Sequence, residues 1–417
     1  MSSSLALRQA RHLSTAATSA TTTTTTTTTT ITTPTSISIS KAKYKLKSEH
    51  DPDKALEIYS SVSDHYATSL STGYTQNFTV KRLAKANRFD DIENFLESHK
   101  KDPNIIQEHF LSSLIRSYSV AGMFDHALKT YNDMEELGTP RSSLSFNALL
   151  SACVRGKKFG DVVKVFDEMP QRNGFVPDSV SYGILIKAYC EMGDVGLAIE
   201  RLREMEGKGV DISSIHYTTI LHCLYVKGMV EEAEKVWNEM LEKGYTDVGA
   251  YNVRIMNVPG GDVECVKGLI EEMGNDGLKP DAISYNYLMT SYCKREMLDE
   301  AKKVYDDLEI NKCKPNAATF RTLIFYLCKK GRYVIAHKVF KQSVEAHKIP
   351  DFDTLKILVE GLVKKSKMKE AKGMIRTIKK KFPPTVVKAW EKIQQELGIV
   401  IADEDDNKKR VMELRKM

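Results

Sequence analysis

The sequence predicts an all-α fold in which about nine to ten helix–turn–helix repeats of about 35 residues stack into a solenoid. The first observation is a period, because aromatic residues recur at intervals of 36, 35, 34, 34 and 35 residues, at Phe146, Tyr182, Tyr217, Tyr251, Tyr285 and Phe320. The second is that the sequence around each of them repeats one order of apolar and polar positions. A helical hairpin of this size cannot bury its apolar face alone, so neighbouring units must share one elongated core.

Each unit is predicted to hold two helices joined by a turn. In the unit 282–316, apolar residues follow helical spacing from Tyr285 to Tyr292 and again from Leu298 to Leu308. Between these stripes most sister units carry a glycine, namely Gly122, Gly193, Gly228 and Gly331. Glycine tolerates the left-handed backbone that ends a helix, so we expect the first helix to end there. A proline after the second helix stops that helix, and an Asp or Ser caps the next one.

These units resemble pentatricopeptide repeats, as in the strings VPDSVSYGILIKAYCEMGDVGLAIERLREM and KPDAISYNYLMTSYCKREMLDEAKKVYDDL. The tetratricopeptide repeat has a similar period but a signature that these units lack. The even repeat length resembles the plain P class of the family, which is abundant in plant organelles. The resemblance implies a right-handed α-solenoid, or superhelix. The nine expected units are 73–107, 108–142, 143–178, 179–213, 214–247, 248–281, 282–316, 317–351 and 352–386.

The two ends of the chain are predicted to differ from the repeats. Residues 1–48 hold no acidic residue, include Arg8 and Arg11, and carry an uninterrupted threonine run at 21–30. This composition is typical of a transit peptide followed by a Thr-rich disordered segment, although a disordered tail alone would also explain it. We further expect a partial repeat or cap at 49–72, and a capping helix and charged tail at 387–417.

The first residues also indicate a compartment. They can form a basic amphipathic helix with Leu5, Leu7 and Leu13 on its apolar side, which favours the mitochondrial matrix over the alternative, the chloroplast. No apolar run approaches the roughly 20 residues that cross a bilayer. We therefore expect a soluble mature protein without membrane insertion.

The charge is concentrated rather than spread. The chain has a formal net charge of +6, and residues 1–48 contain six basic groups, so the remainder is close to neutral. A protein that binds nucleic acid mainly through phosphates would keep a positive excess. The region 356–392 is one candidate basic patch for phosphate or rRNA, and a solvated helix face is the equally weighted alternative. Its candidate residues, with one from the preceding unit, are Arg321, Lys356, Lys379, Lys380 and Lys381.

Catalysis and metal binding are not expected. Five of the seven cysteines, Cys153, Cys190, Cys223, Cys293 and Cys328, fall on the first helices, where a small apolar residue packs. The sequence contains no Cys-x-x-Cys pair of the kind that binds zinc, and no phosphate-cradling glycine loop or nucleophile motif. We predict a protein that is not an enzyme and that has no cofactor, no metal and no small-molecule substrate.

The resemblance also implies which residues bind RNA. In the family the concave groove holds single-stranded RNA, one base per repeat, which is recognised by the fifth and the last residue of a unit. The pairs that match this code are Asn147 with Asp178, Thr218 with Asp247, Asn252 with Asp281, and Asn286 with Asn316. They imply a target 5′-U-N-G-U-Y-3′. An Asp at the last position is equally explained as a helix N-cap, and both roles can hold together.

The second residue of a unit is expected to wedge between bases. Branched apolar residues suited to this role are Leu144, Val180, Ile215 and Ile283. Other units depart from the pattern. Gly183 offers no side chain to a base, Arg321 and Lys356 are better suited to phosphates, and Gly249, Ala318 and Asp353 make poor wedges.

Two functions are consistent with these features. The first is a sequence-selective RNA-binding factor that stabilises, processes or activates translation of mitochondrial transcripts. The alternative is a structural component of the mitochondrial ribosome that contacts rRNA, since the family includes such subunits in plants. The partner in both cases is single-stranded RNA.

Overall fold

The computed structural model describes residues 36–62, 69–381 and 384–399 of the 417. Within these residues the regular structure is helical, apart from an isolated bridge between Ile37 and Val62 and two short 3-10 turns. The α-helices are α1 Ile39–Ser48, α2 Pro52–Ser60, α3 Ser69–Lys85, α4 Phe89–His99, α5 Glu108–Ala121, α6 Phe124–Glu136, α7 Ser143–Arg155, α8 Phe159–Asn173, α9 Ser179–Met192, α10 Val195–Gly207, α11 Ser214–Val226, α12 Val230–Glu242, α13 Val248–Met256, α14 Val263–Asn275, α15 Ala282–Lys294, α16 Leu298–Ile310, α17 Ala317–Lys329, α18 Tyr333–Glu345, α19 Phe352–Lys364, α20 Met368–Lys381 and α21 Pro384–Glu396.

The helices α1 to α20 form successive hairpins, and α21 packs against the last of them. From Glu108 onward, the first helix of each hairpin begins at the first residue of an expected unit. The shortest first helix is α13, which ends at Met256 and is followed by the 3-10 turn Pro259–Gly261. The all-α solenoid predicted from the period is therefore confirmed.

The hairpins stack so that their first helices form one continuous layer. Each first helix from α1 to α19 contacts the first helix of the next hairpin, whereas neighbouring second helices touch far less. A layer whose members lie closer together forms the inside of a bend. The first helices therefore line the concave side of the solenoid, and any groove for an extended ligand lies on them.

The hairpin turns have the left-handed backbone that the glycines predicted. Gly122 and Gly193 have φ values of 77° and 88°. In four hairpins the left-handed residue carries a side chain, which costs more than glycine at φ values of 56° to 64°, namely at Asn87, Lys157, Glu296 and Ser366. The turn is therefore set by the stacking of the helices and not by glycine alone.

The periodic aromatic residues form the core between hairpins. Phe146, Tyr217 and Tyr251 are fully buried, and Trp237 of α12 meets Tyr251 edge-on with ring centroids 4.8 Å apart. Four of the five first-helix cysteines are also buried and Cys190 is half-buried, in keeping with a packing role. One apolar ridge per unit thus joins each hairpin to the next.

The N-terminal end differs from the expected layout. The helix α1 lies inside the range 1–48, and its Ala42 and Leu46 are fully buried. It forms a hairpin with α2 and contacts α3, so the boundary of the leader expected at residue 48 lies inside the folded chain. The amphipathic helix and threonine run predicted for the transit peptide lie outside the described residues, as does the acidic tail at 403–406.

Candidate nucleic-acid interface

The most complete candidate base contact lies between α13 and α15. The Nδ2 group of Asn252 donates to Oδ1 of Asp281 at 3.1 Å, and the hydroxyl of Ser284 donates to Oδ1 of Asn252 at 2.7 Å. Asp281 also caps α15 by accepting from the backbone N–H of Ser284 at 3.0 Å. The cap and the predicted base contact are thus parts of one hydrogen-bonded group, which holds the amide in one orientation.

The same group recurs between α7 and α9. Nδ2 of Asn147 donates to both carboxylate oxygens of Asp178, at 3.0 and 3.2 Å, and the hydroxyl of Ser181 donates to Oδ1 of Asn147 at 2.6 Å. Partial burial raises the pKa of Asp178, but hydrogen bonds from Asn147, Ser181 and Ser143 outweigh it and bring the pKa below its ordinary value. The carboxylate is therefore charged at neutral pH and can hold the amide.

A third pair, between α15 and α17, differs from the first two in that, within the described part of the chain, no hydroxyl donates to the side chain of Asn286. Nδ2 of Asn286 donates to Oδ1 of Asn316 at 3.2 Å. The third residue of the next unit is Thr319, whose hydroxyl donates to Asn316 at 3.2 Å. The Oδ1 atom of Asn286 is buried and accepts no hydrogen bond from the described residues. This pair therefore keeps one unused acceptor.

The structure does not join the fourth predicted pair. The hydroxyl of Thr218 donates to the backbone oxygen of Ser214 at 2.7 Å. Asp247 instead accepts from the hydroxyl of Ser214 at 2.6 Å and from the backbone N–H of Ala250 at 2.8 Å. Thr218 borders a cavity of about 550 Å³ whose walls include His222 and Met256. Thr218 and Asp247, the pair predicted for guanosine, are thus hydrogen-bonded to other residues and not to each other.

The predicted wedge residues stand on the first helices as exposed apolar side chains. Their exposed fractions run from 38% for Leu144 and 46% for Ile283 to 58% for Val180 and 65% for Ile215. Branched apolar groups normally lose such exposure when a protein folds. Their recurrence at the second position of four units makes an apolar row beside the three joined pairs.

The predicted basic residues do not form one surface. Lys356 lies on α19 of the inner layer and is 3.8 Å from Glu360, while Arg321 on α17 helps to lower the pKa of Asp351. Lys379, half-buried, and Lys380, exposed, belong to α20, a second helix. The side chain of Lys381 is outside the described residues. The patch therefore divides between the two helix layers.

Residues that the code does not include complete the site. Ser181 and Ser284, each the third residue of its unit, orient the Asn side chains, and a Ser or Thr at that position recurs in five units, at Ser145, Ser181, Ser284, Thr319 and Thr354. That recurrence was visible in the sequence and could have identified them. The role of Glu108 was not visible, because its partners lie 34 and 37 residues away. Its carboxylate accepts from the backbone N–H of Ser142 at 2.8 Å and from that of Ser145, in the next unit, at 3.1 Å.

Among the described residues, no group of three or more His, Cys, Asp or Glu side chains is placed to hold a metal ion. Within the same ranges no helix is long and apolar enough to cross a membrane. The inner layer thus offers amides at three interfaces, with capping carboxylates and exposed apolar side chains beside them.

Two family models match this chain. The one described as the PPR repeat family matches residues 141–190, 177–225 and 280–329, and the one described as the PPR repeat matches 110–139, 215–245 and 318–346. Among solved structures, the crystal structure of the pentatricopeptide repeat protein PPR10 with an 18-nt psaJ RNA element is 19% identical, with a TM-score of 0.41. That match covers 86% of this chain, which spans 56% of the PPR10 chain.

Two relatives from Arabidopsis thaliana align with most of the chain. The small ribosomal subunit protein mL103 (rPPR7) is 56% identical over 355 residues, covering 85% of this chain and 86% of that protein. A mitochondrial pentatricopeptide repeat-containing protein is 52% identical over 351 residues, covering 84% and 83%. Because similarity at this level extends over most of both chains, the protein belongs to the pentatricopeptide repeat family.

Proposed function

We propose that this protein binds single-stranded RNA in mitochondria along its inner helix layer, with one base per repeat. The observation that carries the proposal is the Asn side chain held between consecutive hairpins, as in Asn252 with Asp281 and Ser284. Asn147 with Asp178 has the same geometry, and Asn286 likewise donates its amide to the capping residue Asn316. Relatives named as mitochondrial support the compartment.

The geometry supports base recognition for a chemical reason. An Asn amide has two N–H donors, and the capping residue uses one of them, which leaves the other for a base edge. The amide is pre-oriented, so little conformational entropy is lost when a base binds. The exposed side chains of Ile215 and Ile283 can lie against the base faces and lose contact with water. We assign the target 5′-U-N-G-U-Y-3′ to units 143–178 through 282–316.

On this proposal the protein acts by occupying RNA and not by catalysis. The test is a gel shift with the full chain and 12-nucleotide RNAs that contain the target. They are compared with RNAs in which the uridines at nucleotides 1 and 4 of the target are replaced by adenosine. We expect the replacements to weaken binding at least about tenfold, since each of the two lost hydrogen bonds is worth about 1 kcal/mol. Equal affinity for all RNAs would refute base recognition by these pairs.

A second setting for the same binding is the small subunit of the mitochondrial ribosome, with rRNA as the ligand. The similarity to mL103 favours it, because that relative is named as a small ribosomal subunit protein and matches over 86% of its length. In this setting the lysines of α20 would contact rRNA. A stabilising or translation-activating factor would instead bind messenger RNA through the inner layer alone.

Crosslinking in intact mitochondria distinguishes the two settings. Tagged protein is crosslinked to RNA, and the attached fragments are sequenced. Reads on small-subunit rRNA would support the ribosomal role, and reads on a few messenger segments containing the target would support the transcript-specific role. Sedimentation adds a second test, because Lys379→Glu, Lys380→Glu and Lys381→Glu together should release a ribosomal protein from the particle.

The matched control for that charge reversal is the triple variant Lys164→Glu, Lys235→Glu and Lys303→Glu. These three lysines are exposed on the second helices α8, α12 and α16, and the variant makes the same change in net charge. We expect the control to stay with the ribosome. Retention of both variants would refute a role for the α20 lysines.

A further inference from the structure

The interface between α9 and α11 lacks the amide that is present between α7 and α9 and between α13 and α15. The fifth residue of the unit 179–213 is Gly183, where the units 143–178 and 248–281 carry Asn147 and Asn252. A Cβ atom added to Gly183 would lie 3.3 Å from Nε2 of His216. Such a distance is tighter than an ordinary van der Waals contact, so the space beside Gly183 is already filled by the imidazole.

His216 occupies the position at which the units 179–213 and 282–316 have the serine that orients the amide. It is the third residue of its unit, as Ser181 and Ser284 are of theirs. Both of its ring nitrogens are engaged, with Nε2 2.9 Å from the backbone oxygen of Ser179 and Nδ1 3.1 Å from the backbone nitrogen of Ser213. Nε2 therefore carries the proton and donates, while Nδ1 accepts. The ring is 2% exposed.

The imidazole thus combines two roles that separate residues have elsewhere in the groove, capping a helix and filling the space between hairpins. It forms the capping box at the start of α11, as Ser181 does at the start of α9. It also fills the volume that Asn147 occupies one unit earlier. Because both ring nitrogens are bonded to backbone groups, neither is free to hydrogen-bond a base.

We propose that His216 is a specificity-determining residue that closes the base-recognition position between the units 179–213 and 214–247. A nucleotide passing this interface meets the exposed apolar side chains of Val180 and Ile215, while Gly183 at the fifth position has no side chain to hydrogen-bond a base. The protein therefore spaces its recognised bases with one unrecognised nucleotide. This inference rests on the proposed RNA-binding function.

The structure specifies what would open the position. Gly183→Asn alone would place its side chain against the imidazole, and His216→Ser alone would leave a gap without an amide. Together with Ser213→Asp, the two changes reproduce the set formed by Asn147, Asp178 and Ser181. The triple variant should hold an amide in the orientation seen one unit earlier.

The test measures binding of the full chain to four RNAs that differ only at the second nucleotide of 5′-U-N-G-U-Y-3′. Wild-type protein should bind all four within about twofold, and the triple variant should prefer uridine by about tenfold. Gly183→Asn alone should gain no preference. The control makes two of the three changes elsewhere, as Gly196→Asn at an open position of α10 and His347→Ser at an exposed turn, and should bind like wild type.

A reciprocal variant keeps the test valid should the triple variant fail to fold. Asn147→Gly, Asp178→Ser and Ser181→His transfer the closed arrangement to the first position, where the preference for uridine should disappear while that at the fourth nucleotide stays. The inference is overturned by wild-type discrimination at the second nucleotide, or by a folded triple or reciprocal variant whose preferences do not change. Failure of wild type to bind any of the RNAs would instead refute the proposed function, and this inference with it.

Discussion

The side-chain amide of Asn252 lies 3.1 Å from the carboxylate of Asp281, which begins the next hairpin. Since Asp281 also caps α15, one carboxylate both starts a helix and orients the side chain assigned to a base. Asn252 is only 8% exposed, so little of its side chain contacts water.

Replacing two of the assigned amides should weaken RNA binding without unfolding the protein. In the double variant Asn252→Ala and Asn286→Ala, each lost base contact costs about 1 kcal/mol, so affinity for the target should fall about tenfold or more. Ser284 keeps an acceptor in Asp281 at 3.2 Å, which limits the loss of stability. Gel shifts below the unfolding temperature measure the effect. Asn311→Ala, which removes an amide bonded within α16, is the control, and unchanged binding by the double variant would refute base recognition.

The exposed branched side chains should matter for RNA and not for folding. Ile215→Ala and Ile283→Ala each shorten an exposed side chain, at 65% and 46% exposure, so stability should change by less than about 0.5 kcal/mol. Each should weaken RNA binding about fivefold, because the contact area with a base is worth about 1 kcal/mol. Fluorescence anisotropy with labelled target RNA measures this. Ile310→Ala at the end of α16, where the side chain is 77% exposed, should leave binding unchanged, and equal losses in all three variants would contradict the wedge role.

A single methyl group at Gly361 should destabilise the C-terminal hairpins. A Cβ atom there would lie 1.9 Å from the ring of Tyr333, so the ring or the helix α18 that carries it would have to move. Overpacking of this kind costs about 1–3 kcal/mol, which urea unfolding of Gly361→Ala should show as a lower midpoint. Gly373→Ala in α20 meets nothing within 4 Å and should raise stability by about 0.5–1 kcal/mol. A midpoint for Gly361→Ala at or above that of wild type would contradict the tight packing.

Acid should weaken a charged cluster on the second helices. Arg203 donates hydrogen bonds to Glu239, and Lys243 and Tyr217 donate to it at 2.8 Å, which together lower the pKa of Glu239 to about 2. Because the folded pKa is lower than the unfolded one, near 4.3, the charged cluster stabilises the fold above about pH 4 and loses this effect as the pH falls towards 2.

Thermal unfolding of wild type and Glu239→Gln between pH 6 and pH 2 measures that effect. The wild-type advantage should be largest near pH 6, shrink as the pH falls below about 4, and diminish in high salt because the cluster is partly open to solvent. The control is Glu242→Gln, an exposed carboxylate at the end of the same helix. An advantage that does not vary with pH would contradict the assigned role of Glu239.

Much of the fold could be predicted because each unit repeats the same local pattern. The left-handed glycines at the hairpin turns and the Asp caps at Asp178 and Asp281 follow from short-range chemistry. The helix α1 was missed although Ile39, Ala42 and Leu46 follow helical spacing, because the acid-free composition of 1–48 suggested a leader. Composition describes a whole segment and conceals a short amphipathic stretch at its end.

The candidate site was predictable only in part. The pairs centred on Asn147, Asn252 and Asn286 are joined by hydrogen bonds, yet Thr218 and Asp247 are not, although the code treats all four alike. Thr218 is shorter than Asn and its hydroxyl bonds to its own helix backbone. A code that names residue types does not include the reach of each side chain.

The sequence by itself determined the repeat length, the alternation of helices, their caps and the family, since these depend on residues a few positions apart and on a period. Only the tertiary structure decided which side chain occupies each space between hairpins. Gly183 and His216 are 33 residues apart, and nothing in either unit alone shows that the imidazole fills the place of an amide. That outcome depends on how closely two helices pack, because occupancy of a shared volume is a property of the stacked pair and of neither repeat alone.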